Sequence, residues 1–254
     1  MSSAKQSVGW ELQTRQFLLP KLGHDTSECE DAIAIDSQRG RFAVVDGATE
    51  AFDARNWAQR LSQSWVKKES TLTAEEFRKW VEAEGRELHD SWNGLTLSWY
   101  SEEKARTGSF AAFAGVEINL DSPSWQAIAL GDTCLLHCRR GTLLKSLPLS
   151  HSESFNNAPV LVASDGSLHE SMMQSIVMDS GSFESGDVLL LMSDGIASWY
   201  LQRLEQNDLD PDELICSKHD EELIQFFNDE RSAGKIRNDD IALVRIEITQ
   251  RRVS

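Results

Sequence analysis

The chain has 254 residues and is 40% hydrophobic, enough for a sizeable core, and it is expected to form a single domain over residues 1–254 with its core at about 10–248. Its 41 Asp and Glu against 25 Lys and Arg give a formal net charge of −16, which argues against nucleic-acid partners because phosphate contacts need clustered basic residues. No stretch approaches the ~20 apolar residues of a membrane span, and no secretory leader is visible, so a cytoplasmic protein with no membrane contact is expected.

Taken in chain order, residues 10–19 read as a first strand. Ala32 to Asp36 and Arg41 to Asp46 read as a hairpin turning at Ser37-Gln38-Arg39-Gly40. A helix is predicted from about Phe52 to Lys68, with Trp57, Leu61 and Trp65 spaced at four. A second starts at Thr73, where Thr73-Ala74-Glu75-Glu76 reads as a capping box, and its apolar residues Phe77, Val81, Leu88, Trp92, Leu95 and Trp99 fall mostly on one face. Strand character returns at about 108–118, 124–130, 133–139 and 142–147, and residues 148–180 read as a loop with a short helix. A strand at 187–193 leads into a helix at about 196–206, two helical segments occupy roughly 211–231, and a last strand spans about 240–248. Strands separated by helices without a βαβ rhythm predict an α+β fold of sheets packed together with helices outside. Cys29, Cys134, Cys138 and Cys216 match no common zinc spacing and read as reduced core residues. The tryptophans of the predicted helices, Trp57, Trp65, Trp80, Trp92 and Trp99, are expected in core and interhelix packing.

Two apolar runs end alike. Arg41-Phe42-Ala43-Val44-Val45-Asp46-Gly47 and Asp187-Val188-Leu189-Leu190-Leu191-Met192-Ser193-Asp194-Gly195 each stop at Asp-Gly. A buried strand that delivers a carboxylate at its tip, followed by a residue free to turn, is a way for a sheet to present a metal ligand at its rim. Asn238-Asp239-Asp240-Ile241 puts its acids before a strand, and in an antiparallel sheet one strand's end and its neighbour's start share an edge. Carboxylates that hold two hard cations are suited to phosphate-ester hydrolysis, and oxygen-only ligands suit Mg²⁺ or Mn²⁺.

Glu30-Asp31-Ala32, Val44-Val45-Asp46-Gly47, Gly131-Asp132, Ser193-Asp194-Gly195 and Asp239-Asp240-Ile241, in this order over residues 23–248, resemble the PPM (protein phosphatase 2C-like) family. The resemblance implies a four-layer αββα sandwich, two antiparallel β-sheets flanked by helices, and hydrolysis of phosphoserine and phosphothreonine with two Mn²⁺ or Mg²⁺ ions. It implies that Asp46 bridges both metals, that Gly47 lends its carbonyl, and that Asp194 and Asp239 complete the ligands and act with Asp46 in catalysis. Glu30 is then a metal ligand and Asp31 an outer carboxylate orienting metal-bound water, with Asp240 beside it; the family pattern points to Asp239 rather than Asp240 as the ligand. Gly131-Asp132 matches a signature that is mainly structural. The implied partners are a phosphorylated protein and a cognate kinase.

The match has gaps. Many members carry a phosphate-gripping arginine a few residues before the Glu-Asp pair, and here that place is near Thr26, with Arg15, Lys21 or His24 as substitutes. The histidine that follows Asp-Gly in many eukaryotic members is Ala48. A third metal site lacks its acid near Gly108-Ser109-Phe110, where Glu102 and Glu103 are the nearest acids. A catalytically weak relative that binds a phosphoprotein or kinase, or a phosphatase of small phosphate esters, are the alternative readings. Ser164-Asp165-Gly166 also ends an apolar run but reads as a loop, and a haloacid-dehalogenase reading fails because its nucleophile position holds Val44.

Overall fold

Strands buried on both faces are apolar at every position, and that is why the sequence shows runs rather than alternation. A computed structural model describes residues 8–69, 73–155, 158–206 and 210–252 of the chain. Strands β1 (Val8–Leu19), β2 (Ala32–Asp36) and β3 (Arg41–Gly47) are followed by helices α1 (Ala54–Lys67), α2 (Ala74–Ser91) and α3 (Trp99–Thr107). Next come β4 (Phe110–Asn119), β5 (Ser124–Leu130), β6 (Cys134–Arg139), β7 (Thr142–Leu147), β8 (Val162–Ala163), α4 (His169–Ser175) and β9 (Val177–Ser182). The chain continues through β10 (Asp187–Met192), α5 (Asp194–Glu205), α6 (Pro211–Cys216), α7 (Asp220–Ser232) and β11 (Ile241–Arg252).

The strands form two antiparallel sheets, ordered β1-β11-β10-β6-β7 and β2-β3-β4-β5-β9, with the short β8 on β4. Alternation within each strand supplies two cores at once. Phe42 and Val44 of β3 face Leu189 and Leu191 of β10 and Val244 and Ile246 of β11 in the layer between the sheets. Ala43 and Val45 of β3 instead meet Trp57, Leu61 and Trp65 of α1 and Phe77 and Val81 of α2. Leu190 and Met192 of β10 pack on Ile196, Trp199 and Tyr200 of α5 and Phe227 of α7. The four-layer αββα sandwich expected from the sequence is the fold observed. No helix of the described residues is long and apolar enough to cross a membrane.

Two expectations need correction. The second helix does not run on through Leu95 to Trp99. It ends at Ser91, the chain turns through Gly94 at φ 85°, and Ser98 starts α3 by accepting a hydrogen bond from the Ser101 amide. Leu95 and Trp99 are therefore exposed, Trp99 by 76%, rather than core, because the turn breaks the helical phase that would have carried them inward. Residues 177–180, the end of the stretch read as a loop with a short helix, belong instead to β9, which pairs with β5. This edge strand carries Asp179, Ser180 and Ser182, and Lys145 Nζ binds Asp179 Oδ1 at 2.7 Å, so it shows no apolar run. Cys216 is exposed; the other three cysteines are buried.

At the start of β10, away from its Asp194 end, Asp187 is fully buried, and its oxygens accept from His137 Nε2 at 2.8 Å, Arg139 Nε at 2.7 Å and the Glu184 amide at 2.9 Å. Removing one partner of such a buried network strands the others, at a cost of about 3–5 kcal/mol. Asp187→Ala is expected to lower the melting temperature by ~6 °C or more in a thermal melt, and a melt within a degree of the parent would overturn this account.

Candidate functional site

Register brings the acidic motifs to one rim. Asp46 is the penultimate residue of β3 and pairs with Ala112 of β4, whose methyl leaves space beside it. In the other sheet, Met192 of β10 pairs with Leu243 of β11, so the residues just after β10 lie beside those just before β11. Ser193 locks that junction: its amide donates to Ala242 O at 3.0 Å, and its hydroxyl accepts from the Ala242 amide at 2.9 Å. Asp194, the first residue of α5, is thereby held beside Asp239. Between β5 and β6, Gly131 turns at φ 95°, where an added Cβ would lie 2.6 Å from the Ala112 Cβ, and this turn delivers Asp132 to the same place.

Asp46, Asp132, Asp194 and Asp239 line one cavity of about 220 Å³, together with Gly47, Ala48, Thr49 and Arg237. Burial pushes the Asp46 carboxyl well above the ordinary range, and Asp31, Asp194, Asp132 and Asp239 push it further. Asp31, buried behind the cavity, is raised well above its usual value by the same loss of hydration and then by Asp240, while a hydrogen bond from Ser193 opposes the rise. Asp132 is raised to about 7, by burial first and by Asp194 next. Asp194 is raised by burial and then by Asp239, and Arg237, whose Nη1 lies 3.3 Å from Asp194 Oδ2, acts the other way.

This is a carboxylate cluster short of positive charge. Asp194 Oδ1 and Asp31 Oδ2 are buried with no hydrogen-bond partner, and such atoms are rare unless something else engages them. At Gly47 an added Cβ would lie 2.9 Å from the carbonyl oxygens of Glu30 and Ala54, so the backbone passes where no side chain fits. An oxygen-only donor set with unsatisfied carboxylates fits a hard divalent cation. Among the described residues no three Asp, Glu, His or Cys side chains stand at coordination spacing.

The remaining residues singled out in the sequence divide. Both oxygens of Asp240 are engaged by main chain, Oδ1 by the Lys21 amide and Oδ2 by the Glu30 amide, each at 2.8 Å, so Asp240 pins the segment between β1 and β2. Asp239 lines the cavity instead. The Glu30 carboxylate stands outside the lining, accepting from Thr49 Oγ1 at 2.6 Å and facing Lys21 Nζ at 3.6 Å. Of the three substitute cations, Lys21 is at this rim. Arg15 is held by Ile215 O, Lys218 O and Asp220, and His24 lies 3.9 Å from Glu28. Glu102 and Glu103 are exposed on α3 and do not line the cavity. Asp165 caps a 3₁₀ turn at Gly166–Leu168. Two lining residues were missed: Asp132, read as structural, and Arg237, two positions before Asp239, for which the sequence offers only the clustering Arg237-Asn238-Asp239-Asp240.

No known protein-family description matches the sequence, and no curated protein matches it. The fold matches solved structures along nearly its full length. The photosystem II phosphatase PBCP superposes with a TM-score of 0.59 at 15% identity, covering 93% of this chain and 98% of that one. The catalytic domain of the serine threonine protein phosphatase PstP, in complex with two manganese ions, gives 0.58 at 13% identity, covering 96% and 100%. RsbX in complex with magnesium gives 0.53 at 14% identity, again covering 96% and 100%. The chain has the fold of the PPM phosphatases.

Asp132 supplies a test of the site's electrostatics. Below about pH 4 the carboxyl is protonated whether the chain is folded or not, and it contributes nothing. As pH rises towards 7 the unfolded carboxyl ionises before the folded one, so stability is lost through that window, and the full cost stands above it. In EDTA, Asp132→Asn is expected to melt close to the parent at pH 4 and ~3 °C or more above it at pH 8. A difference that does not change with pH would show that the charge is not the cause.

Proposed function

We propose that this protein is a metal-dependent serine/threonine phosphoprotein phosphatase. The observation that carries this reading is the meeting of Asp46, Asp194 and Asp239, from three separate stretches of sequence, in one cavity with unsatisfied carboxylate oxygens on a phosphatase fold. The carboxylates of Asp46, Asp194 and Asp239 and the carbonyl of Gly47 would hold two Mn²⁺ or Mg²⁺ ions, with Glu30 as a further ligand from the rim. Bound there, such ions supply Lewis acidity towards phosphoryl oxygens and a water made nucleophilic at neutral pH.

The chain's own residues then have distinct tasks. Asp46, central among the acids, holds charge where phosphorus is attacked. Asp31 accepts from Ser193 and presents a free oxygen behind Asp46, placed to orient water. Asp240 fixes the backbone of Lys21 and Glu30 and so the wall of the site. The nucleophile is water rather than a side chain, so no phosphoenzyme forms. Ala48 offers no proton to a leaving group, and turnover is then slow for alkyl phosphates of Ser and Thr compared with aryl phosphates. The substrate is a phosphorylated protein made by a cognate kinase.

Hydrolysis of a phosphothreonine peptide with Mn²⁺ and with EDTA, beside Asp194→Ala, tests the reading. Activity is expected only with metal and is expected to drop more than ~100-fold in the variant. Phosphopeptide binding without turnover would favour a signalling module, and preference for small phosphomonoesters would change the substrate class. In a separate melt, Mn²⁺ at ~100 times its dissociation constant is expected to stabilise the parent by about 2.7 kcal/mol and to leave Asp46→Asn nearly unmoved. Equal shifts in both proteins would place the cation elsewhere.

A further inference from the structure

Arg237 is the cation that lines the acidic cavity among its described residues, and it reaches the site from a fixed base. The carbonyl of Asp239, two residues on, accepts from Arg231, which also binds Pro20 O at 3.0 Å. Asn238 Oδ1 accepts from the Leu22 amide at 2.8 Å, and the Asp239 amide donates to Arg237 O at 2.9 Å. The backbone around Arg237 is therefore anchored, while its side chain is 52% exposed and its guanidinium lies 3.3 Å from Asp194 Oδ2. At 3.3 Å this is a long contact for a charge-assisted bond, made by an arginine half open to solvent to a carboxylate that is only 13% exposed. Lys21, the other cation at this rim, is turned to Glu30 and Thr49.

A phosphate monoester brings about two negative charges into a cavity walled by Asp46, Asp132, Asp194 and Asp239. Cations held by the carboxylates would neutralise the wall and engage some of the phosphate oxygens. A planar guanidinium, with donors spaced for two phosphate oxygens, supplies both charge and orientation. We propose that Arg237 is the phosphate-binding residue of this site: its guanidinium exchanges Asp194 for two non-bridging oxygens of the substrate phosphate when Asp194 takes a metal ion. This rests on the phosphatase reading above and adds a substrate-positioning residue to it.

The test uses the full chain, Arg237→Ala and Arg237→Lys. Mn²⁺ binding is measured first by calorimetry without phosphate, then inorganic phosphate binding to the Mn²⁺-loaded proteins, then KM and kcat on a phosphothreonine peptide. Arg237→Ala is expected to bind Mn²⁺ as well as the parent or better, because a competitor for Asp194 is gone. Its phosphate dissociation constant and its KM are expected to rise by ~10-fold or more, with Arg237→Lys between the two. Phosphate affinity equal in all three Mn²⁺-loaded proteins would overturn the proposal while leaving the metal reading intact. Weakened Mn²⁺ binding and lowered kcat with KM unchanged would overturn it too, making Arg237 a residue that positions Asp194. No Mn²⁺ uptake by the parent would remove the metal reading and this proposal with it.

Discussion

Asp31, Asp46, Asp132, Asp194 and Asp239 crowd one rim of the sandwich, and the repulsion among them is the force that the surrounding structure restrains. Each of Asp31, Asp46, Asp132 and Asp194 is raised by burial first and by its neighbours second. Left to themselves these carboxylates would take protons or move apart. Asp46 and Asp194 are held in place because each sits at or just past the end of a strand whose other positions are deep in apolar packing. Asp46 follows Val44 and Val45, both fully buried on opposite faces of β3, and Asp194 follows Leu189 to Met192, which fill two cores. Moving either carboxylate outward would drag its strand out of register and turn apolar side chains towards water.

A second set of polar contacts ties the ends of those elements to one another. Ser193 binds Ala242 through both its amide and its hydroxyl, joining β10 to β11 at the point where Asp194 and Asp239 meet. Asp240 accepts from the amides of Lys21 and Glu30, and Arg231 donates to the carbonyls of Pro20 and Asp239. These contacts draw the segment between β1 and β2 onto the start of β11. Neighbouring residues thus divide the work. Asp240 is saturated by backbone and holds the frame, while Asp239 faces the cavity.

The sandwich was legible because β3, β4 and β10 are buried on two faces and so read as runs, and because two of those runs stop at Asp-Gly. The hairpin at Ala32 to Asp46, the cap at Thr73 and the Trp57, Leu61 and Trp65 stripe follow from local patterns that packing did not override. β9 was hidden because an edge strand can be polar, and α3 was hidden because Leu95 and Trp99 keep apolar spacing across a turn at Gly94 that spacing alone does not register. In the site, strand-end acids were legible and the loop-borne Arg237 was not. An arginine beside two aspartates in sequence is as consistent with a solvated turn as with a cavity wall, and only the fold shows that it lines the cavity. Asp132 was undervalued for a related reason: the turn at Gly131 looks structural, and it is, but it also aims the next side chain into the cavity.

The two rims of the sheet formed by β10 and its neighbours hold two differently satisfied carboxylates. Asp187, at the start of β10, is fully buried, yet a histidine, an arginine and an amide satisfy both its oxygens, so the ion adds rigidity and nothing is left to bind. Asp194, just past the other end of the same strand, keeps Oδ1 without any partner and shares Oδ2 with an exposed arginine. The same residue type is complete at the start of β10 and incomplete just past its end. Incompleteness in a buried charged group is costly, and among the described residues of this cluster it persists at both Asp31 and Asp194. A cluster of unmet acceptors held rigidly in place is what a cation needs and what a stable scaffold alone does not, and this asymmetry along β10 is the physical reason to look for chemistry at the Asp194 end.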